Sequence, residues 1–274
     1  MAVAGSTQEI EWGKFDGRIP YVKVGSGPQK LVYFSGGGAF LTSVDADPIT
    51  RGKAKAKLLT SNQTIYILGY PRNLPARVSL EDIANELAKA IQNHLGKSII
   101  IGNSFGGLVA IAFAKNYPEL TEKLILTNCA YTYSHEFIKY LQQIIKLGEN
   151  GKVLSIFLKM NDLIANPWSR SLANIATVLP WARIKKKLNP ITELTNALRT
   201  VMSETEYLKA CLPFIKASTV IIGGTADKAH SAALFRETAS LIPNAKLVLF
   251  PGYGHEMEME HGAEFREAFQ KSLE

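Results

Sequence analysis

Short apolar runs rich in β-branched residues recur along this chain, separated by stretches whose apolar residues fall at helical spacing. Ile10 to Phe15 and Ile19 to Val24 flank Asp16-Gly17 and predict an opening hairpin. Further strands are predicted at Lys30 to Phe34, Thr64 to Leu68, Ser98 to Ile101, Lys123 to Thr127, Thr219 to Ile222 and Ala245 to Phe250. Helical patterns lie between them near Thr50 to Leu59, Ser79 to Leu95, Ser104 to Asn116, Ser231 to Leu241 and Ala263 to Leu273. Such alternation predicts an α/β fold, a mostly parallel, doubly wound sheet of about eight strands covered on both faces.

One interval breaks the rhythm. Residues 133–212 carry no strand pattern, only amphipathic helical ones such as Phe137-Ile138-Tyr140-Leu141-Ile144-Ile145, punctuated by Pro167, Pro180 and Pro190. The chain is therefore expected to divide into a core of residues 1–132 and 213–274 and a helical insert of 133–212. Most apolar side chains of the insert must pack it onto the core. A few, drawn from a set that includes Trp168 and Trp181, are expected to line an apolar pocket.

Chemistry enters at Gly102-Asn103-Ser104-Phe105-Gly106, between the run Ser98-Ile99-Ile100-Ile101 and the helical stretch Leu108 to Ala114. A Gly-x-Ser-x-Gly arises by chance in roughly one chain of this length in ten, so its placement carries the weight. Strand, sharp turn and helix in that order form a nucleophile elbow, which holds a serine hydroxyl out at the tip of the turn. Downstream, Gly223-Gly224-Thr225-Ala226-Asp227 follows one predicted strand, and Pro251-Gly252-Tyr253-Gly254-His255 follows the next. All three polar residues thus fall past the C-terminal ends of strands, where parallel sheets place their sites. The order Ser, Asp, His is one of the convergent arrangements of the triad: Ser104 as nucleophile, His255 as base then acid, Asp227 as orienting carboxylate.

Each assignment has competitors. Asp227 also stands where it could cap the helix beginning near Ser231, and the rival acid position after the sixth strand holds Asn128, which cannot ionise. Among the other histidines, His94 and His135 read as surface residues. His230 lies too near Asp227 in sequence to reach over easily from the same loop, and His261 lacks a glycine turn behind a strand.

Together these features resemble the α/β-hydrolase fold superfamily, in its serine-nucleophile, esterase- and lipase-like branch. Phe34-Ser35-Gly36-Gly37-Gly38 resembles the oxyanion loop of that family, and Gly69 to Leu74 with the helix after it resembles the segment before the elbow strand. Many members carry His-Gly where this chain has Ser35-Gly36. The resemblance implies that residues 133–212 form a helical cap inserted after the sixth strand. It also implies an oxyanion hole built from backbone N–H groups, with Phe105 and Gly37 the best donors and Gly38 in reserve.

Composition narrows the setting. At 274 residues, with 46% hydrophobic and 20% charged, the chain suits one large α/β domain. The first residues show neither a basic nor an apolar signal region, and no run is long enough for a membrane span; a cytoplasmic protein without membrane partners is expected. Cys129 and Cys211 read as buried free thiols. The net charge of +7 is dispersed except at Lys53-Lys55-Lys57 and Arg183-Lys185-Lys186-Lys187, which read as solvated helix faces rather than nucleic-acid sites. No metal or cofactor is expected. A serine at the elbow excludes the aspartyl-ester chemistry of dehalogenases and epoxide hydrolases on this fold. Three readings remain: a hydrolase of small to medium apolar esters, thioesters or lactones; a C–C bond hydrolase or acyltransferase with the same triad; and a non-turnover ligand sensor or scaffold.

Overall fold

The computed structural model describes residues 9–75 and 77–274. Residues 1–8, read above for a signal segment, lie outside the described residues. Eight strands form one sheet: β1 (Ile10–Phe15), β2 (Ile19–Val24), β3 (Gln29–Phe34), β4 (Gln63–Leu68), β5 (Ser98–Asn103), β6 (Thr121–Thr127), β7 (Ser218–Gly224) and β8 (Lys246–Phe250). Their order is β1-β2-β4-β3-β5-β6-β7-β8, with β1 and β2 antiparallel to their neighbours and every pairing from β4 to β8 parallel. The mostly parallel sheet predicted from the alternation is therefore present, with boundaries moved by one or two residues.

The helices of the core are α1 (Pro48–Ala56), α2 (Leu80–His94) and α3 (Phe105–Asn116) before β6. Ser79 starts α2 with a capping box, accepting from the Asp82 N–H while the Asp82 carboxylate accepts from the Ser79 N–H; such a cap contributes about 1 kcal/mol. In β5, Ile99, Ile100 and Ile101 are all buried, so both faces of the sheet are covered there. Helix α3 is apolar around its whole circumference from Leu108 to Ala114 and is buried on every side, which fixes the end of β5 against a rigid backing.

Between β6 and β7 run α4 (His135–Glu149), α5 (Val153–Met160), α6 (Pro167–Val178), α7 (Trp181–Lys185), α8 (Ile191–Ser203) and α9 (Thr205–Cys211). Polar ties bind this helical segment to the sheet-bearing part. Thr42 bridges to Leu188, and the Glu260 carboxylate accepts from the Ala165 and Asn166 N–H groups at 3.1 and 2.7 Å. Thr200 donates to the Val78 carbonyl, and Glu204 accepts from the Leu80 N–H. After β7 come α10 (Ala232–Leu241), then, past β8, α11 (Met257–Glu260) and α12 (Gly262–Leu273). Cys129 and Cys211 are buried free thiols. Among the described residues no helix is long and apolar enough to cross a membrane.

The sheet order reverses around β3, whose neighbours β4 and β5 lie on opposite sides. Crevices at such reversals, beyond the carboxyl ends of the strands, are where open α/β sheets bind ligands. The Ser35-Gly36-Gly37-Gly38 segment leaves β3 there, and the Ser104 turn leaves β5 beside it.

Candidate active site

Ser104 sits between β5 and α3 with φ 52° and ψ −122°, a conformation that costs a side-chain-bearing residue on the order of 1–3 kcal/mol. Tight packing of its flanking glycines holds it there. A Cβ on Gly106 would stand 2.1 Å from the Phe34 carbonyl oxygen, and one on Gly102 2.5 Å from the Gly107 Cα. The elbow can fold only because neither has a side chain, and the Ser104 N–H donates to the Thr127 carbonyl at 3.0 Å.

Asp227 and His255 are delivered by the turns after β7 and β8. A carboxylate only accepts hydrogen bonds, so the 2.8 Å contact of His255 Nδ1 with Asp227 Oδ2 puts the ring proton on Nδ1. Nε2 is then left to accept from Ser104 Oγ at 3.0 Å. The other carboxylate oxygen, Oδ1, accepts from the backbone N–H groups of Ala229 and His230 at 2.7 and 3.1 Å. The turn thus holds the carboxylate by one oxygen and presents the other to the imidazole. Helix α10 is capped by Ser231, not by Asp227: the Leu234 N–H donates to Ser231 Oγ.

The turn's Pro251 and Gly252 are exposed, but His255 is 5% and Asp227 6% exposed. Burial works against a charged imidazole, yet the adjacent Asp227 carboxylate outweighs it and raises His255 to about 8. Burial likewise works against the Asp227 carboxylate, while the field and hydrogen bond of His255 bring it below the ordinary carboxylate value.

The other histidines lie away from Ser104 or face elsewhere. His94 pairs with Asp16 on the surface, and His135 is exposed at the start of α4. His261 stacks on Tyr253. His230 is fully buried, its ring 5.9 Å from that of His255, and burial lowers it to about 4. Asn128 is buried at φ 50° with no partner for its side-chain oxygen.

Gly37 opens a 3-10 turn (Gly37–Phe40), and Phe105 opens α3. First residues of helical turns leave N–H groups without intrahelical acceptors. A Cβ on Gly37 would lie 3.9 Å from that of Phe105, so the two openings are adjacent. Ser35 takes the place held by histidine in many α/β hydrolases, and its anchoring is visible: Ser35 Oγ donates to the Leu68 carbonyl at 2.7 Å, and the Tyr70 hydroxyl donates to the Ser35 carbonyl. Ser35 thus ties the loop to the end of β4.

The helices after β6 bring aromatic and apolar groups toward this chain of residues. Tyr133 and Phe137 are buried, and the Phe137 ring is 6.5 Å from that of His255. The Met160 methyl would lie 4.0 Å from a Cβ on Gly38. Trp181 packs edge-on against Phe157, whereas Trp168 is 75% exposed. The sequence pattern reported that Trp168 is apolar, but helical periodicity alone does not say which way a helix is turned.

A sheet reversing at β3, with a serine at the strand-to-helix turn of β5, defines an α/β hydrolase. Comparison with known proteins agrees. The serine aminopeptidase, S33 family matches residues 76–262, and the chain belongs to that family of α/β hydrolases. It is similar to the 2-hydroxy-6-oxononadienedioate/2-hydroxy-6-oxononatrienedioate hydrolase of Burkholderia vietnamiensis, at 25% identity over 90% of this chain and 88% of that protein. A Pseudomonas sp. protein of the same description is 24% identical, over 96% of this chain and 95% of its own. Among solved structures, an α/β hydrolase enzyme from a Medee basin deep-sea metagenome library superposes with TM-score 0.76, at 16% identity over 96% of this chain and 97% of that one. The esterase of Exiguobacterium antarcticum superposes at 0.73, with 19% identity over 94% and 96% of the two chains. The enol-lactonase of Burkholderia xenovorans does so at 0.71, with 16% identity over 96% and 99%. The chain is a hydrolase-family enzyme.

Proposed function

We propose that this enzyme hydrolyses a small to medium apolar carboxylic ester, thioester or lactone through an acyl-enzyme on Ser104. The observation that carries this reading is the unbroken chain Ser104 Oγ–His255–Asp227, at 3.0 and 2.8 Å. His255 Nε2 takes the hydroxyl proton as Oγ attacks the acyl carbon, and the developing imidazolium is stabilised by Asp227. The tetrahedral oxyanion accepts from the N–H groups of Gly37 and Phe105; losing one such donor costs about 2.7–4 kcal/mol of barrier. His255 then returns the proton to the leaving group, and the same residues activate water to cleave the acyl-enzyme. Residues 133–212 act as a cap: Phe137 and Met160 give an apolar wall suited to an uncharged acyl group.

A second reading, C–C bond hydrolysis, is favoured by relatives that match nine-tenths or more of the chain, among them the Burkholderia vietnamiensis and Pseudomonas sp. proteins, which are described as 2-hydroxy-6-oxononadienedioate/2-hydroxy-6-oxononatrienedioate hydrolases. It uses the same attack on a carbonyl, with carbon in place of oxygen as leaving atom. Steady-state kcat/KM measured side by side on p-nitrophenyl acyl esters and on a 2-hydroxy-6-oxo dienoate decides between them. Ester turnover at least as efficient supports the first reading; strong preference for the dienoate transfers the function to the second. A single burst without turnover on either would mark a sensor and sink both.

A further inference from the structure

Helix α6 is turned inside out. Its outward face presents Trp168 at 75% exposure, Leu172 at 52% and Ile175 at 54%, and the stripe continues into Leu179 at 80%. These residues follow one another at spacings of four, three and four, which sets them on one side of a helix. Its inward face is polar. Asn174 accepts from Asn161 at 2.8 Å, Thr177 bonds back to the Ala173 carbonyl, and Arg170 donates twice to the Ile164 carbonyl. A helix covering a core normally shows the opposite pattern. None of its residues is buried, so packing among the described residues does not explain the apolar stripe.

Along the segment itself the charge is one-sided, although the Glu260 carboxylate sits against the Ala165 and Asn166 N–H groups at the start of α6. Residues 163–192 contain no Asp or Glu, and they contain Arg170, Arg183, Lys185, Lys186 and Lys187. The last four are exposed on and just after α7, which follows the stripe directly. An apolar helix face with a tryptophan, beside a cluster of cations that form no ion pair among the described residues, matches the chemistry of helices that lie in the plane of an anionic bilayer.

We infer that α6 and α7 form a docking surface for an anionic lipid membrane. The indole of Trp168 and the side chains of Leu172, Ile175 and Leu179 enter the headgroup–acyl boundary, and Arg183 to Lys187 meet the anionic headgroups. That no helix among the described residues is long and apolar enough to cross a membrane concerns crossing, not lying on, a bilayer. A second copy of this chain fits the surface less well. Twelve residues of helix make a stripe of about 18 Å, too small for the roughly 800 Å² per partner of a stable interface. A two-fold contact would also set the basic cluster against itself. This inference is independent of the chemistry at Ser104.

The test is co-sedimentation of the full-length protein with phosphatidylcholine vesicles and with vesicles containing phosphatidylglycerol, at low and high salt. Binding is expected to the phosphatidylglycerol vesicles and to weaken with salt. The double variants Leu172→Ser/Ile175→Ser and Lys185→Glu/Lys186→Glu should each weaken it on the order of tenfold or more. Both change exposed side chains only, and unaltered thermal unfolding verifies that they remain folded. The Trp168 emission should move to shorter wavelength on binding, read in a Trp12→Phe/Trp181→Phe background. No binding to anionic vesicles, binding equal on neutral ones, or binding indifferent to both double variants would overturn the inference. So would a concentration-dependent dimer that Leu172→Ser/Ile175→Ser abolishes and vesicles do not compete away.

Discussion

His255 and His230 lie with ring centroids 5.9 Å apart, both buried, and their proton affinities diverge in opposite directions. Burial opposes charge on both. His255 has the Asp227 carboxylate on Nδ1 and rises to about 8; His230 places Nδ1 against the Thr132 carbonyl, leaves Nε2 without a partner and falls to about 4. One cleft therefore holds one imidazole that readily takes a proton and one that stays neutral.

The pH dependence follows. His255 must be neutral to accept the Ser104 proton, so kcat/KM is expected to rise with pH along one limb centred near 8, above the ordinary histidine value. His230 should contribute no inflection above pH ~5. For stability the sign is reversed. The raised affinity of His255 stabilises the fold fully below its unfolded pKa and is lost as pH rises through about 8. Ester turnover and denaturant unfolding, each across pH, check both; a rate limb centred below the ordinary histidine value would contradict this.

Asp227→Asn should lower kcat by about 10⁴ with the fold intact, by the wrong-tautomer effect seen in a serine protease. The amide oxygen can keep the hydrogen bonds from the Ala229 and His230 N–H groups, which turns the NH₂ toward His255. Nδ1 must then accept, the proton moves to Nε2, and the imidazole can no longer receive one from Ser104. Turnover measured alongside a thermal melt separates this from unfolding.

Gly106→Ala should be damaging although it removes no polar group. Its methyl would stand 2.1 Å from the Phe34 carbonyl, so β3 and α3 must part, moving Gly37 away from Phe105. A fall in kcat on the order of 10²-fold or more, the cost of a lost oxyanion donor, with lowered stability is expected. Gly252→Ala, in the exposed turn before His255, places its methyl in open space but keeps φ 80°, and should cost stability with far less effect on kcat.

Met160→Ala should open space above the Gly37–Phe40 turn and move the preferred acyl chain toward greater length, with the change seen mainly in KM. An acyl-length profile unaffected by Met160→Ala and by Phe137→Ala would remove the helical cap from the account of specificity.

The strands and the placement of Ser104, Asp227 and His255 were legible because each depends on local sequence. Apolar runs mark buried strands, and glycines mark the turns where side chains would collide with backbone. The anchoring of the Ser35 loop was not legible, since it depends on Leu68 and Tyr70 meeting Ser35 across strands. Nor was the burial of His255, because a glycine-rich turn reads as surface until the helices after β6 are set over it. The outward stripe of α6 was hidden for the opposite reason: its periodicity is the same whether Trp168 faces in or out.

Peptide mapping after treatment with a fluorophosphonate tests the central assignment most directly. A single covalent adduct is expected on the peptide carrying Ser104, formed in the wild-type protein, absent in Ser104→Ala and greatly slowed in His255→Ala. An adduct on another serine, or undiminished turnover in Ser104→Ala, would contradict the assignment.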